Sequence, residues 1–318
     1  MRLCCVAANA AIDKTYVVSG FRQGGTYRLE TVVPVAGGKA LNAAKTARLL
    51  GVEEVVCTGF VAGRAGDWIR RDLAARGIRE AFVQVPGESR EDILIVDPSG
   101  GAETRLLEPG VAVDAAELEA LTGRVRDLAR SSALVILAGS LHRGCPDNLY
   151  ARLVDELRRM GTRVFLDADG EALRQAVPAG PDLIKVNEEE FAALNRRSAG
   201  CLEDLVTSGQ RMLGQGALVV TLGARGAVWI GPEGALLAEG PRVAPLMTVG
   251  SGDAFLGGYA AAVLRGEAPA AALALGVAAG TANTLCLGPG VVDPAEVESL
   301  RGRVQITTLG AGSRLPHQ

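Results

Sequence analysis

Short apolar runs alternate with helical patterns along most of this chain, and that alternation limits the fold more than any other feature. Leu3–Ala8, Val55–Gly59, Ala133–Ala138, Arg163–Asp167, Pro181–Val186 and Ala217–Leu222 read as strands. Lys39–Leu50, Asp67–Ala75, Ala115–Ala129, Asp147–Met160, Glu188–Leu194 and Leu202–Leu213 read as helices between them. Strands that succeed one another through helices lie parallel in one sheet, with helices over both faces. A composition 48% hydrophobic but only 4% aromatic, with 41 glycines among 318 residues, suits an α/β fold of this kind with a large core.

Two segments interrupt the alternation. Residues 13–36 and 84–108 carry strand-like patterns broken by turn signals, as at Pro86-Gly87 and Pro98-Ser99-Gly100-Gly101. Ile93–Val96 and Thr104–Leu107 are spaced to pair as a hairpin across the second turn. These segments are expected to form a small subregion apart from a main α/β domain made of residues 1–12, 37–83 and 109–308. Residues 309–318 read as a frayed tail.

Several function classes are disfavoured. A net charge of −3 gives no basic surface for nucleic acid. Cys4, Cys5, Cys57, Cys145, Cys201 and Cys286 form no CxxC pair, and the first three sit in apolar strand-like runs, as buried reduced thiols do. With His142 and His317 the only histidines, a histidine-based metal site is nearly excluded. No basic leader with an apolar core opens the chain and no long uncharged apolar run follows, which predicts a soluble cytoplasmic protein with no membrane partner.

The segment Thr248-Val-Gly250-Ser251-Gly252-Asp253-Ala-Phe-Leu-Gly-Gly258 carries the chemistry. Glycines let backbone N–H groups approach a ligand, and a helix N-terminus adds partial positive charge there. An anion hole beside a carboxylate fits phosphoryl transfer, with Asp253 taking a proton from the attacking hydroxyl. A capped helix start, with Asp253 serving first-turn N–H groups, is the plainer alternative.

Read together with Gly37-Gly38-Lys39-Ala40-Leu41-Asn42, Gly139-Ser140-Leu141, Lys185-Val186-Asn187-Glu188-Glu189-Glu190 and Thr221-Leu222-Gly223-Ala224-Arg225-Gly226, the segment resembles the ribokinase-like sugar kinases, phosphofructokinase-B group. The likeness is strongest to the 1-phosphofructokinase and tagatose-6-phosphate kinase subfamily and spans Asn9 to about Asp293. It implies a three-layer α/β sandwich with a mostly parallel sheet, the two strand-rich segments joining as a β lid over the sugar site. It also implies ATP and Mg²⁺ as cofactors, a phosphosugar substrate, and a homodimer through the exposed lid edges.

The same resemblance assigns residues. Asp253 is the base, and Gly250, Ser251 and Gly252 form the anion hole. Asn187 and Glu190 would hold Mg²⁺ through water, although on the residues alone an acidic first helical turn is the favoured reading. Lys185, Thr221, Gly223, Gly226 and Asn283 are expected around the nucleotide. Gly37, Gly38, Asp13 and Asn42 are expected at sugar hydroxyls, and Arg28, Arg90, Arg105, Lys39 and Ser140 at the substrate's phosphate. Asp167, at a strand end, is either structural or part of the cleft.

The pattern departs from the group in places. Ser251 replaces Ala, Ala40 replaces Gly, and His142 stands where Pro is common. The Thr-Arg-x-Asn of many 1-phosphofructokinases reads Ser89-Arg90-Glu91-Asp92, which places a carboxylate near an expected phosphate. The leading expectation is ATP-dependent phosphorylation of fructose 1-phosphate, tagatose 6-phosphate or fructose 6-phosphate to the bisphosphate. A kinase of a neutral sugar or nucleoside, or a non-catalytic sugar- or nucleotide-binding regulator, is the alternative.

Overall fold

The computed structural model describes residues 1–310. In chain order, the first half contains β1 (Arg2–Ala7), β2 (Ala11–Val17), β3 (Val32–Gly37), α1 (Lys39–Leu49), β4 (Glu54–Val61), α2 (Gly63–Ala75), β5 (Arg79–Glu80), β6 (Val83–Gln84), β7 (Arg90–Asp97), β8 (Ala102–Leu106), α3 (Ala115–Ala129) and β9 (Leu134–Ala138). It continues with α4 (Leu149–Arg159), β10 (Arg163–Asp167), α5 (Gly170–Ala176), β11 (Leu183–Asn187), α6 (Glu188–Asn195), α7 (Leu202–Met212), β12 (Ala217–Thr221), β13 (Ala227–Gly231), β14 (Gly234–Glu239), α8 (Ser251–Leu264), α9 (Pro269–Asn283), α10 (Pro294–Arg301) and β15 (Gln305–Leu309).

The main sheet runs β15-β14-β13-β12-β11-β10-β9-β1-β4-β5, with β6 also pairing β4. Pairing is parallel from β12 to β5 and antiparallel from β12 to β15. Strand alternation splits the core: Leu3, Cys5 and Ala7 join one apolar cluster, Cys4, Val6 and Ala8 the other. Both faces are therefore covered, as the near-continuous apolar strands required. Cys4, Cys5 and Cys57 are buried free thiols in that core, with Cys5 opposite Cys57 in register. This is the ribokinase-like α/β architecture.

A separate four-stranded sheet, β3-β2-β7-β8, stands over the main one. The expected hairpin forms, Ile93 opposite Leu106 and Thr104 opposite Ile95. Its apolar side packs Leu94 and Val96 on Met247 and Val249, just before the glycine-rich segment. Glu103 of β8 accepts hydrogen bonds from Thr248, from Oγ1 at 2.9 Å and from the backbone N–H. The second sheet is thus tied to the loop that opens α8.

The sequence expectations need correction at the sheet's antiparallel edge and in three helices. No strand was expected at β13, β14 or β15, and Leu309, assigned to the tail, belongs to β15. β15 is exposed except at Leu309, and its two apolar residues, Ile306 and Leu309, stand three apart, so it carries no strand alternation to detect. α5 and α10 were also unforeseen, and α2 begins at Gly63 because Gly63 and Gly66 disguise its first turn. Residues 311–318, including His317, lie outside the described residues. Among the described residues no helix is long and apolar enough to cross a membrane.

Candidate active site

The chain leaves β1 toward β4 on one side and returns through β9, β10, β11 and β12 on the other. Ligands of open α/β sheets bind at such a switch point, beyond the carboxyl ends of the strands. A cleft of about 250 Å³ lies there, between the two sheets, lined among others by Asn9, Asp13, Lys39, Arg90, Ser140 and Asp253.

α8 supplies the floor. Gly250 caps it at φ 87°, a left-handed backbone that glycine adopts without strain. Ser251 N–H donates to Thr248 O at 3.2 Å, closing the turn. Ser251 therefore does not present its N–H to the cleft, contrary to expectation. Among the described residues, the N–H groups of Gly250, Gly252 and Asp253 have no acceptor in the chain. α8 packs closely on α1 because a Cβ at Gly257 would collide with Ala43 O. That approach sets Asn42 Nδ2 2.8 Å from Asp253 Oδ2. Asn42, expected at a sugar hydroxyl, lines the cleft and holds the Asp253 carboxylate through Nδ2, while its Oδ1 has no partner among the described residues. Burial, then the charge of Asp167, pushes the Asp253 pKa up to about 6, against the pull of Lys185.

Asp167 ends β10 and is fully buried. Its Oδ2 accepts from Lys185 Nζ at 2.7 Å and its Oδ1 from Lys39 Nζ at 2.9 Å. Burial disfavours its charge, but Lys185 and Lys39 outweigh that and hold the carboxyl below its usual range. Burial likewise opposes the charge on Lys39, and Asp167 and Glu190 outweigh it, raising that ammonium's pKa. Lys39 Nζ also reaches Glu190 Oε1 at 3.2 Å. Sequence reasoning left Asp167 open; the signal was present, since β10 and β11 are consecutive parallel strands and Asp167 and Lys185 stand near their carboxyl ends.

Asn187 and Glu190 form a capping box on α6: each side chain accepts from the other's backbone N–H at 2.8 Å. The plainer reading of this pair therefore holds at least as a structural role. Among the described residues, no cluster of three or more His, Cys, Asp or Glu is arranged to hold a metal. One carboxylate and one amide oxygen suit only a cation that keeps most of its water and takes phosphate oxygens, as Mg²⁺ does.

On the other side of the cleft, Asp13 Oδ2 accepts weakly from Gly38 N–H at 3.4 Å, and a Cβ at Gly37 would collide with the same carboxylate. Ser140 Oγ accepts from Asn9 Nδ2 at 3.2 Å. Arg90 is committed: Nε and Nη2 donate to Asn9 O at 3.3 and 3.2 Å, and Nη1 lies 2.8 Å from Asp92 Oδ2. Arg105 is exposed at the cleft rim. Arg28 is not brought to the cleft; it lies exposed in an irregular segment between β2 and β3. His142 gains an account: it is buried edge-on against Phe60, and burial together with Arg90 holds its pKa at about 4, so it is neutral at pH 7.

The expected nucleotide residues divide. Thr221 ends β12 and donates to Val186 O at 3.3 Å, and Gly223 at φ 60° faces open space. Gly226 is explained by its own fold, since a Cβ there would strike Ala238 O on β14. Asn283 is fully buried, donating to Val291 O at 2.9 Å and Gly288 O at 3.3 Å. It braces the loop packed against Gly250 and does not border an open adenine pocket.

The model for pfkB family carbohydrate kinases matches residues 1–296. The 1-phosphofructokinase of Rhodobacter capsulatus is 33% identical over 314 residues, 97% of this chain and 98% of that protein. Phosphofructokinase-2 from Escherichia coli, in complex with substrates and products, superposes with a TM-score of 0.89 at 24% identity, over 95% of this chain and 99% of that one. A tetrameric inhibited form of the same enzyme gives 0.87 at 24% identity, over 95% and 98%. The structural likenesses speak for the fold, and the family match covers both the fold and the cleft: this chain belongs to the pfkB family of carbohydrate kinases.

Proposed function

We propose that this protein transfers the γ-phosphoryl group of ATP to a hydroxyl of a ketohexose phosphate, giving the bisphosphate and ADP. The observation that carries this reading is the pairing of Asp253, oriented by Asn42, with unsatisfied N–H groups in the first turn of α8. The acceptor oxygen attacks the γ-phosphorus, its proton passes to Asp253, and the bond to the β-phosphate oxygen breaks as ADP leaves. A carboxylate with a pKa of about 6 is ionised at neutral pH yet basic enough to take that proton. The Gly250 and Gly252 N–H groups meet charge on the transferring oxygens. Lys39 and Lys185, ion-paired with Asp167, stand where the nucleotide's phosphates would approach. Asn187 and Glu190 would hold Mg²⁺ through its water shell, where it supplies charge neutralisation of the phosphates.

Asp13 and Ser140 line the acceptor side with Arg90 and Arg105, a polar wall suited to hydroxyls and one phosphate. The neutral-sugar reading has one observation in its favour, the prior pairing of Arg90 with Asp92. A panel decides between them: ADP release with fructose 1-phosphate, fructose 6-phosphate, tagatose 6-phosphate, free fructose, ribose and adenosine. A phosphosugar should exceed every free sugar in kcat/KM by about tenfold or more, the worth of one charge-assisted hydrogen bond. Equal or better turnover of free sugars establishes the neutral reading, and no turnover with any acceptor establishes a binding protein. The second sheet has open edges at β3 and β8, so a homodimer through it is part of the same proposal.

A further inference from the structure

We infer that Asp92 is a specificity-determining residue: it must take up a proton before Arg90 can receive the acceptor's phosphate, so phosphosugar and proton bind together. This rests on the phosphosugar reading above.

Arg90 turns Nε and one N–H of Nη2 toward Asn9 O and sets Nη1 against both Asp92 oxygens, and the two side chains of that pair are only 12% and 11% exposed. A phosphate arriving at Arg90 therefore arrives at Asp92 too. Asp92 cannot swing away freely, because its Oδ1 also accepts from Glu108 N–H at 3.1 Å. In the β2–β7 register it stands opposite Asp13, a second carboxylate on the cleft wall. The charged groups facing Asp92 are Arg90 on its own strand, Asp13 on β2 and Arg105 on β8, while Glu108 meets it with a backbone N–H and turns its carboxylate to Glu91 N–H. Glu91 turns aside to pair with Lys14, and His142 behind Arg90 is neutral. Arg90 and Arg105 are balanced by Asp13 and Asp92, so this wall attracts a phosphate dianion weakly while Asp92 is ionised.

Protonation changes that balance by one charge and turns Asp92 from acceptor into donor. Its O–H can then hydrogen-bond a phosphate oxygen, and Arg90 Nη1 is released to do the same. Burial has already raised the Asp92 pKa to about 6 against the pull of Arg90, so the proton lies within reach at neutral pH. A dianion beside it raises that value further in the complex.

The signature is thermodynamic. Between the free and bound pKa values of Asp92, affinity for the phosphosugar should fall about tenfold per pH unit as pH rises. The substrate's own phosphate, with a pKa near 6, acts in the opposite direction and is fully ionised by pH 7.5. Titration calorimetry of fructose 1-phosphate, fructose 6-phosphate and tagatose 6-phosphate at pH 7.5, in two buffers of different ionisation enthalpy, counts the protons. The wild type should take up a substantial fraction of one proton per bound phosphosugar, and Asp92→Asn should take up none. The KM of the wild type should rise above pH 6, whereas that of Asp92→Asn should fall to a plateau. Zero proton uptake by the wild type overturns the inference without recourse to the variant. Parallel KM profiles in the two proteins overturn it while leaving the phosphosugar reading intact. Turnover of free sugars alone removes both.

Discussion

Asp167→Asn tests the charge network at the centre of the site. The substitution preserves shape and one hydrogen bond but removes the carboxylate charge. Two lysines lean on that carboxylate, and they do not lose equally. Lys39 is 26% exposed and keeps Glu190, whereas Lys185 is 6% exposed and has no other carboxylate within 4 Å among the described residues. The cost is therefore one stranded buried ammonium, about 3–5 kcal/mol. For 318 residues the unfolding entropy is roughly 0.65 kcal/mol/K, so Tm should drop about 4–8 °C by differential scanning calorimetry. The folded pKa of Asp167 is lowered, so its contribution is fully present above the unfolded value of about 4 and fades as pH falls through the folded one. The deficit should then persist across pH 5–8. A second readout comes from Asp253, whose pKa is raised in part by the Asp167 charge. The acid limb of kcat should shift to lower pH in the variant. A Tm within 1 °C of wild type, or an unmoved acid limb, would refute the network.

Three further outcomes follow from the same geometry. In the wild type, kcat should fall below about pH 6 as Asp253 takes its proton, and a flat profile from pH 5 to 8 would remove it as the base. Asp253→Asn should lower kcat by about 10²–10⁴ while nucleotide affinity, read by calorimetry, stays within a few-fold. Glu190→Gln should raise the Mg²⁺ concentration for half-maximal activity, since one of few protein ligands loses its charge. An unchanged Mg²⁺ titration would leave Glu190 only its capping and Lys39 contacts.

Much of this protein is legible in its sequence because local chemistry leaves little choice. Apolar runs of strand length between amphipathic helices can be satisfied only by a parallel sheet covered on both sides. The hairpin of β7 and β8 follows from a glycine-rich turn between alternating segments, and the glycine-capped start of α8 from glycines ahead of an apolar helix. The Asp253 region and the Gly37-Gly38 helix start were found this way, whereas Lys39 and Lys185 were singled out by the family resemblance.

Tertiary structure decided what each side chain touches, because contacts between distant segments have no local signal. Asn42 faces Asp253 only because Gly257 lets α8 approach α1. Asn283 turns inward because the loop through Gly288 and Val291 folds over it, and Arg28 stays outside because its segment has no strand to carry it into the cleft. β15 escaped notice because it is exposed from Gln305 to Thr308, so burial imposes no period-two pattern on it. Asp167 gathered Lys39 and Lys185 from separate elements, and Arg90 met Asp92 two residues along the same face of one strand. Sequence named the charges; the crossing of strands and helices set which of them neutralise one another.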